Sequence, residues 1–189
     1  MERKQLLRDN IFVKREGFQR SEMHQKDQKI CKILKEIIIS LTKQTPVKLG
    51  IYIPLDGEPN LTSLFRDQYF AEKGYEFFAP KIQYSVLNFV KLLENDLKER
   101  NDIDKLVQPK SNKISIPEII LVPGLAYSYQ GYRLGFGKGY YDRYIANNGH
   151  HKFAKLGICY HQDLLEFLPH QNHDKKMDYI VTEQTIIEL

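Results

Sequence analysis

A short glycine-rich segment, residues 133–143, contains the residue types in this chain that are best suited to chemistry. Within its sequence, RLGFGKGYYDR, three glycines alternate with other residues: Gly135, Gly137 and Gly139. Alternating glycines allow successive backbone N–H groups to surround an anion without steric conflict from Cβ atoms. Arg133 and Lys138 add two positive charges, and a helix predicted over 140–147 would add the positive end of its dipole. The pattern therefore predicts a site for phosphate groups.

This glycine segment differs from the two best-known phosphate-binding motifs. Lys138 is followed by Gly139 rather than by Ser or Thr, and the Walker frame G-x-x-x-x-G-K is missing. The dinucleotide fingerprint needs a glycine where this chain has Tyr140. A flexible loop whose glycines only turn the chain is the alternative interpretation. The two cations, and a position expected directly between a buried strand and a helix, favour the phosphate site.

Charged residues elsewhere in the chain are candidates for the same site. Asp142, in the first helical turn, could interact with the helix dipole or bind Mg²⁺, which prefers one or two carboxylates together with phosphate oxygens. Asp174 is a second candidate, with a turn or cap residue as the alternative. Lys4 and Arg8 would share one helix face, which could hold a polyphosphate or be a solvated basic surface. Glu58 follows the first predicted strand, at the edge of the sheet where ligands bind.

The hydrophobic pattern predicts an α/β fold that would bring these residues together. Two N-terminal helices are expected, with a break at Gly17, and a βαβ unit follows, with strands over 49–54 and 75–80 around a helix over 60–73. Further strands are predicted over 86–93, 116–122, 154–160 and 179–182. The strands are apolar on both faces, as in a parallel sheet between two layers of helices.

Length and composition exclude several classes of protein. The 189 residues favour one domain over 1–189, and 42% hydrophobic with 28% charged residues is typical of globular proteins. No apolar run approaches the ~18–20 residues of a membrane span. The N-terminus lacks the pattern of a secretory signal, so we expect a cytoplasmic protein without a membrane partner.

The net charge of +4 is unevenly distributed along the chain. Residues 1–48 contain 12 Lys and Arg against 6 Asp and Glu, whereas residues 49–189 contain 16 against 18. The positive N-terminal region could meet RNA, an anionic membrane or a polyphosphate ligand, and charge alone does not choose among them.

These motifs together resemble the 5-formyltetrahydrofolate cyclo-ligases, also called 5,10-methenyltetrahydrofolate synthetases. The resemblance rests first on LVPGLA at 121–126 and on the pattern G-x-R-L-G-x-G-x-G-Y-Y-D-R at 131–143. Supporting matches occur in order: K-x-x-x-R at 4–8, the segment 54–58, and the pairs LP and HD followed by D-x-x-V-T within 168–182. The matches extend along nearly the whole chain.

The resemblance implies a fold, a reaction and cofactors. The fold would be a three-layer α/β/α domain with a mostly parallel central sheet, similar to ribose-5-phosphate isomerase and CoA-transferases, with the N-terminal helices packed on it. The reaction would close 5-formyltetrahydrofolate to 5,10-methenyltetrahydrofolate with release of ADP and phosphate, through phosphorylation of the formyl oxygen. ATP and Mg²⁺ would be required, and the protein is expected to be a monomer.

The resemblance also implies which residues form the site. The ATP-binding set joins the N-terminal cations to the glycine segment: Lys4, Arg8, Arg133, Leu134, Gly135, Phe136, Gly137, Lys138, Gly139, Tyr140 and Tyr141. The folate-binding set is Ile53, Glu58, Phe136 and Tyr140. The Mg²⁺ ligands are Asp142 and Asp174. Arg133 and Lys138 would act catalytically by neutralising charge on the transferred phosphoryl group, and Tyr141 by positioning the formyl group.

Two other functions are alternatives at this point. One is an ATP-dependent enzyme that acts on another formyl- or acyl-bearing heterocycle through the same nucleotide site. The other is a non-catalytic RNA-binding module built on the basic N-terminal helices and the tyrosines. Because no RNP-like motif is present and the N-terminal positive excess is small, we expect a small-molecule substrate and no nucleic-acid partner.

Overall fold

The fold combines helices with short strands. The structure is a computed structural model that describes residues 2–15, 20–55, 57–98 and 108–189. Its helices are α1 (Glu2–Arg15), α2 (Arg20–Leu41), α3 (Thr62–Phe65), α4 (Gln68–Glu72), α5 (Glu94–Lys98) and α6 (Tyr140–Asn147). Its strands are β1 (Lys48–Gly50), β2 (Glu76–Gln83), β3 (Val86–Lys91), β4 (Ile119–Pro123), β5 (Ala126–Ser128), β6 (Arg133–Leu134), β7 (Ala154–Ile158), β8 (Leu164–Leu165), β9 (Tyr179–Val181) and β10 (Ile186–Glu188). Gly17 lies outside the described residues.

A seven-stranded sheet in the order β10-β9-β7-β4-β1-β2-β3 forms the middle of the molecule. The five central strands are parallel, and the edge strands β10 and β3 are antiparallel to their neighbours. From β1 the chain moves outward to β2 and β3 on one side, and from β4 it moves outward to β7 and β9 on the other. The carboxyl ends of β1 and β4 therefore meet where the strand order reverses, which is the usual ligand position in open α/β sheets.

Helices cover both faces of this sheet. In β4, Ile119 and Leu121 pack in the core formed with α2, α3 and α4, whereas Ile120 and Val122 pack in the core formed with α6. Successive strand residues point to opposite faces, so a strand buried on both faces is apolar at every position. The predicted three-layer α/β/α arrangement and the predicted helix over 140–147 are confirmed. None of the described helices is long and apolar enough to cross a lipid bilayer.

A second sheet of three strands, in the order β6-β5-β8, was not predicted. It supports α1, whose Ile11 packs against Leu125, Leu134 and Leu168. β5 lies between β4 and the glycine segment, and the segment itself begins with the two-residue strand β6 of the small sheet. The expectation that the segment directly follows the strand over 116–122 is therefore wrong. Strands this short have no periodic signal in the sequence, since their pairing partners define them.

Two predicted elements of the βαβ unit are shorter than expected. The strand predicted over 49–54 ends at Gly50, although its parallel pairing with β2 is confirmed. The helix predicted over 60–73 is divided into α3 and α4 at Asp67, whose carboxylate accepts a hydrogen bond from the Tyr69 N–H at 2.9 Å. This carboxylate also accepts from Lys35 of α2 at 2.8 Å, and such an N-cap starts a new helix.

The two cysteines provide a test of the packing. Cys31 is 7% exposed, and burial raises the pKa of its thiol to about 11. Cys159 is fully buried, and burial raises the pKa of its thiol as well. A pKa of about 11 leaves about one thiol in a thousand ionised at pH 8, and only the thiolate is nucleophilic. Ellman's reagent should therefore detect neither thiol in the folded protein and both in denaturant. Rapid reaction of either thiol under native conditions would contradict the packing of the core that contains it.

Candidate active site

A cavity of about 1120 Å³ opens beyond the carboxyl ends of β1 and β4. Its walls come from six parts of the chain: α1, the segment after β1, the β2–β3 hairpin, Pro123 at the end of β4, the glycine segment with the start of α6, and the loop over 169–174. The first helix of the chain, a loop near its C-terminal end and its most glycine-rich segment thus share one cavity. Each sequence-predicted site residue lines it.

The glycine segment presents unused backbone donors to this cavity. Gly137 and Gly139 have φ angles of +91° and +63°, values that favour glycine, and Gly139 is also the N-cap of α6. The N–H groups of residues 135–139 donate no hydrogen bond to any residue in the described part of the chain. The Gly135 carbonyl, in contrast, accepts from Nε of Arg8 at 2.8 Å. Free N–H groups around a concave backbone form a site for an anion.

Arg133 is a fixed cation in the cavity wall. Its Nη2 donates to Oδ2 of Asp142 at 2.8 Å, and its Nη1 donates to the Pro123 carbonyl at 3.3 Å. The guanidinium lies 5.1 Å from the centre of the Tyr141 ring, within the range of a cation–π contact. The side chain is 8% exposed, and its Nε is buried without a hydrogen-bond partner among the described residues. The positive charge of Arg133 is therefore fixed in the cavity wall.

A second ion pair joins α1 to the loop near the C-terminal end of the chain. Nζ of Lys4 lies 2.6 Å from Oδ2 of Asp174, which also accepts the Gln171 N–H at 2.7 Å. Burial raises the pKa of Asp174, but the hydrogen bonds from Lys4 and Gln171 outweigh it, and the net pKa lies below the ordinary value. The Asp142 carboxylate reaches the same loop, since its Oδ1 accepts the Lys175 N–H at 3.1 Å. The two carboxylates thus anchor the same loop.

The wall nearest the sheet is more apolar. Ile53 and Glu58 are buried, and Oε2 of Glu58 accepts the Leu55 N–H at 2.8 Å. The buried Tyr141 hydroxyl has no hydrogen-bond partner in the described part of the chain. Burial, and then the nearby Glu58 carboxylate, raise the pKa of Tyr141, so its hydroxyl stays protonated and can donate.

The aromatic and lysine residues at the rim are more exposed. Phe136 is 43% exposed, and its ring centre lies 6.1 Å from that of Phe12 on α1. Tyr140 begins α6 and is partly buried, whereas Lys138 is exposed and forms no ion pair with a described carboxylate. Lys138 is therefore available to an anionic ligand.

Sequence reasoning missed two contributions to the cavity. Pro80, Ile82 and Leu87 of the β2–β3 hairpin line it, although their apolar character suggested only core strands. His170 also lines it, with its ring stacked on Tyr132 at 3.7 Å between ring centres. The sequence contains no local signal for either contribution, because the hairpin and the loop reach the cavity only through the pairing of distant strands.

The carboxylates of Asp142 and Asp174 fit a magnesium ion that arrives with phosphates. No group of three or more His, Cys, Asp or Glu side chains suited to a metal occurs within residues 2–15, 20–55, 57–98 and 108–189. Mg²⁺ needs fewer protein ligands than that, because it usually takes one or two carboxylates and completes its shell with phosphate oxygens and water. Both carboxylates line the cavity that the glycine segment lines.

Comparison with known proteins places this architecture in a family. The model of the 5-formyltetrahydrofolate cyclo-ligase family matches residues 1–183. The chain belongs to this family of enzymes. Among the relatives of this cyclo-ligase family member, the 5-formyltetrahydrofolate cyclo-ligase of Mycoplasma genitalium is 30% identical over 178 residues, which cover 94% of this chain and 96% of the relative.

Solved structures of family members have the same fold. The NMR structure of a 5,10-methenyltetrahydrofolate synthetase from Aquifex aeolicus is similar with a TM-score of 0.77 and 27% identity, covering 98% of this chain and 92% of that one. The structure of a 5,10-methenyltetrahydrofolate synthetase from Mycoplasma pneumoniae is similar in fold, with a TM-score of 0.72 and 24% identity. The similarity covers 95% of this chain and 98% of that one.

The Lys4–Asp174 pair allows a direct test of the site's electrostatics. Replacing Lys4 by Met removes the hydrogen bond and the charge that lower the pKa of Asp174, so this pKa should rise. A pH titration followed by NMR of the carboxyl carbons measures it, with Lys32→Met on the exposed side of α2 as the control.

The same pair should affect stability at low pH. Because the folded pKa of Asp174 is depressed, the pair stabilises the fold above the unfolded pKa, and this stabilisation is lost as pH falls through the folded pKa. An unchanged pKa of Asp174 in the Lys4→Met variant would show that the ion pair does not form in solution.

Proposed function

We propose that this protein uses ATP to close 5-formyltetrahydrofolate to 5,10-methenyltetrahydrofolate, with release of ADP and phosphate. The observation that carries the proposal is the shared cavity, in which α1 cations, the glycine segment and an apolar wall meet in a member of the cyclo-ligase family. A nucleotide and a folate must lie side by side for phosphoryl transfer, and the cavity offers a polar and an apolar region for them.

The polar region is suited to the triphosphate of ATP. The unused N–H groups of residues 135–139 would donate to phosphate oxygens, with Leu134 at the start of this cradle. Arg8, Lys138 and the guanidinium of Arg133 add positive charge to the cavity. Phosphoryl transfer depends mainly on alignment and on cations around the transferred group, which these residues provide.

Asp142 and Asp174 would hold the magnesium ion of MgATP. When bound, Mg²⁺ would neutralise charge on the phosphates and make the terminal phosphoryl group easier to transfer. Each carboxylate is already paired with a cation of the proposed nucleotide site, Arg133 and Lys4 respectively. Binding of MgATP would therefore exchange partners, so that the carboxylates turn to the metal and the cations turn to the phosphates.

The apolar region is suited to the reduced pterin of the folate. Ile53 supplies an apolar contact, and Phe136 and Tyr140 supply aromatic surface. The buried Glu58 carboxylate faces the same cavity, and a carboxylate can accept hydrogen bonds from the amino and N–H groups of a pterin ring. This arrangement would orient the formyl group of the folate toward the phosphates.

The chemistry begins at the formyl oxygen. This oxygen attacks the terminal phosphorus of ATP, an O–P bond forms, the bond to ADP breaks, and the formyl carbon becomes electrophilic. N10 then attacks this carbon and loses its proton, and phosphate leaves with the former formyl oxygen. The ring closes as the 5,10-methenyl cation.

Three side chains have distinct tasks in these steps. Arg133 and Lys138 would neutralise charge on the phosphoryl group in transfer. The Tyr141 hydroxyl, buried, protonated and without an internal partner, would donate to the formyl oxygen or its phosphate ester and keep it in line.

Formation of the methenyl chromophore tests the proposal. Protein mixed with 5-formyltetrahydrofolate and MgATP should develop the near-ultraviolet absorbance of the methenyl product, and Arg133→Ala should lower kcat/KM by roughly 100-fold or more. Arg66→Ala, which changes an exposed arginine outside the cavity, should behave like the wild-type protein. No absorbance change with the wild-type protein would reject the reaction and favour another formyl- or acyl-bearing substrate.

The exchange of ion-pair partners gives a second test, by calorimetry without turnover. Asp142→Asn leaves Arg133 free for phosphate, so ATP in excess EDTA should bind roughly two- to fivefold tighter than to the wild-type protein. The same variant should bind MgATP more weakly and need more Mg²⁺. Asp178→Asn, which disrupts the Lys155–Asp178 pair outside the cavity, should change neither affinity. Equal weakening of both forms of ATP by Asp142→Asn would contradict partner exchange.

A further inference from the structure

Arg143 contacts the glycine segment from outside the cavity. It lies in the first turn of α6, and its Nη1 donates to the Lys138 carbonyl at 2.8 Å. Its guanidinium carbon lies 5.2 Å from the centre of the Tyr140 ring. A Cβ atom on Gly139 would lie 3.1 Å from the same Nη1. Arg143 thus touches three consecutive residues of the segment, yet it does not line the cavity.

The other interactions of Arg143 do not explain its position. Its side chain is exposed, and no carboxylate in the described part of the chain lies within ion-pair distance of it. The helix needs only its backbone, whose N–H donates to the Gly139 carbonyl at 3.1 Å. A surface arginine without a carboxylate partner would ordinarily extend into water, because ordering a long side chain costs conformational entropy. The contacts of this side chain are therefore directed at the segment itself.

We propose that Arg143 is a positioning residue that fixes the glycine segment in its phosphate-binding conformation. This inference rests on the proposed nucleotide site. In a planar trans peptide the carbonyl and the following N–H point in opposite directions. The Lys138 carbonyl is held on Arg143, outside the cavity, so the Gly139 N–H is directed the opposite way, toward the cavity that Gly139 lines.

Glycine flexibility makes such a restraint necessary. Gly137 and Gly139 both have positive φ angles, and glycine has more backbone conformations to lose than any other residue. A segment that orders only when phosphate arrives loses part of its binding free energy to ordering. Arg8 restrains one end of the segment at the Gly135 carbonyl, and Arg143 restrains the other end at Lys138.

Arg143 also restrains an aromatic side chain of the cavity. The guanidinium lies over the Tyr140 ring in the geometry of a cation–π contact. Tyr140 lines the cavity, where the apolar region would receive the pterin. Arg143 therefore restrains both the peptide between Lys138 and Gly139 and the ring of Tyr140.

The experiment compares three substitutions that separate the hydrogen bond from the charge. Arg143→Ala removes both, Arg143→Gln retains a neutral donor without the charge, and Arg143→Lys retains the charge and a donor but not the planar fork. Arg66→Ala is the matched control, since it removes another exposed arginine from a site outside the cavity. The measurements are ¹⁵N relaxation of the glycine amides without ligand, and calorimetric affinities for MgADP and for 5-formyltetrahydrofolate.

The positioning role predicts a specific pattern. Arg143→Ala should lower the order parameters of Gly137 and Gly139 in the free protein and weaken MgADP binding by roughly 10-fold or more, the order of a lost hydrogen bond to a charged group. Arg143→Gln should recover part of both effects, 5-formyltetrahydrofolate affinity should change little, and Arg66→Ala should match the wild-type protein.

Two results would overturn the positioning role. Unchanged glycine order parameters in Arg143→Ala would do so whether or not nucleotide binds, because this measurement needs no ligand. No recovery of either effect by Arg143→Gln would assign the effect to the charge of Arg143 rather than to its hydrogen bond. Failure of the proposed function is a separate result, seen as absence of the methenyl product with the wild-type protein.

Discussion

Two cation–carboxylate pairs connect the elements that surround the cavity. Arg133–Asp142 connects the small sheet to α6, and Lys4–Asp174 connects α1 to the loop near the other end of the chain. All four side chains are largely shielded from water. An unpaired charge in such surroundings is costly, so each pair holds its two elements together. These pairs connect α1, the loop over 169–174 and the glycine segment in one site.

The same pairs balance the charge of the cavity. Cations that line one cavity repel one another, and the two carboxylates neutralise part of that charge within the protein. In contrast, the backbone donors of residues 135–139 need no counter-charge, since an N–H group carries only a partial charge. The site therefore combines full charges that are paired with one another and partial charges without a partner among the described residues, which is an arrangement suited to an anion.

The order of strands gives the cavity its place. β1 and β4 are adjacent and the chain leaves them in opposite directions, so among the described residues no crossover connection covers their carboxyl ends. The segment after β1 supplies the buried Glu58, and Pro123 at the end of β4 accepts from Arg133. The small sheet begins directly after β4 and carries α1 over the opening. The strand order thus leaves a crevice at the carboxyl ends of β1 and β4, and α1 forms part of its wall.

Sequence alone determined the elements whose signals are local. The apolar spacing of α2, the residue-by-residue burial of β4 and the bounds of α6 follow from periods that need no partner, and the pattern at 131–143 identifies the family. Tertiary structure decided the rest. The strands of the small sheet exist only through their pairing, and residues of the β2–β3 hairpin become cavity wall only when the sheet assembles. Side-chain periodicity records which face is apolar, whereas the partner of that face depends on residues far away in the chain.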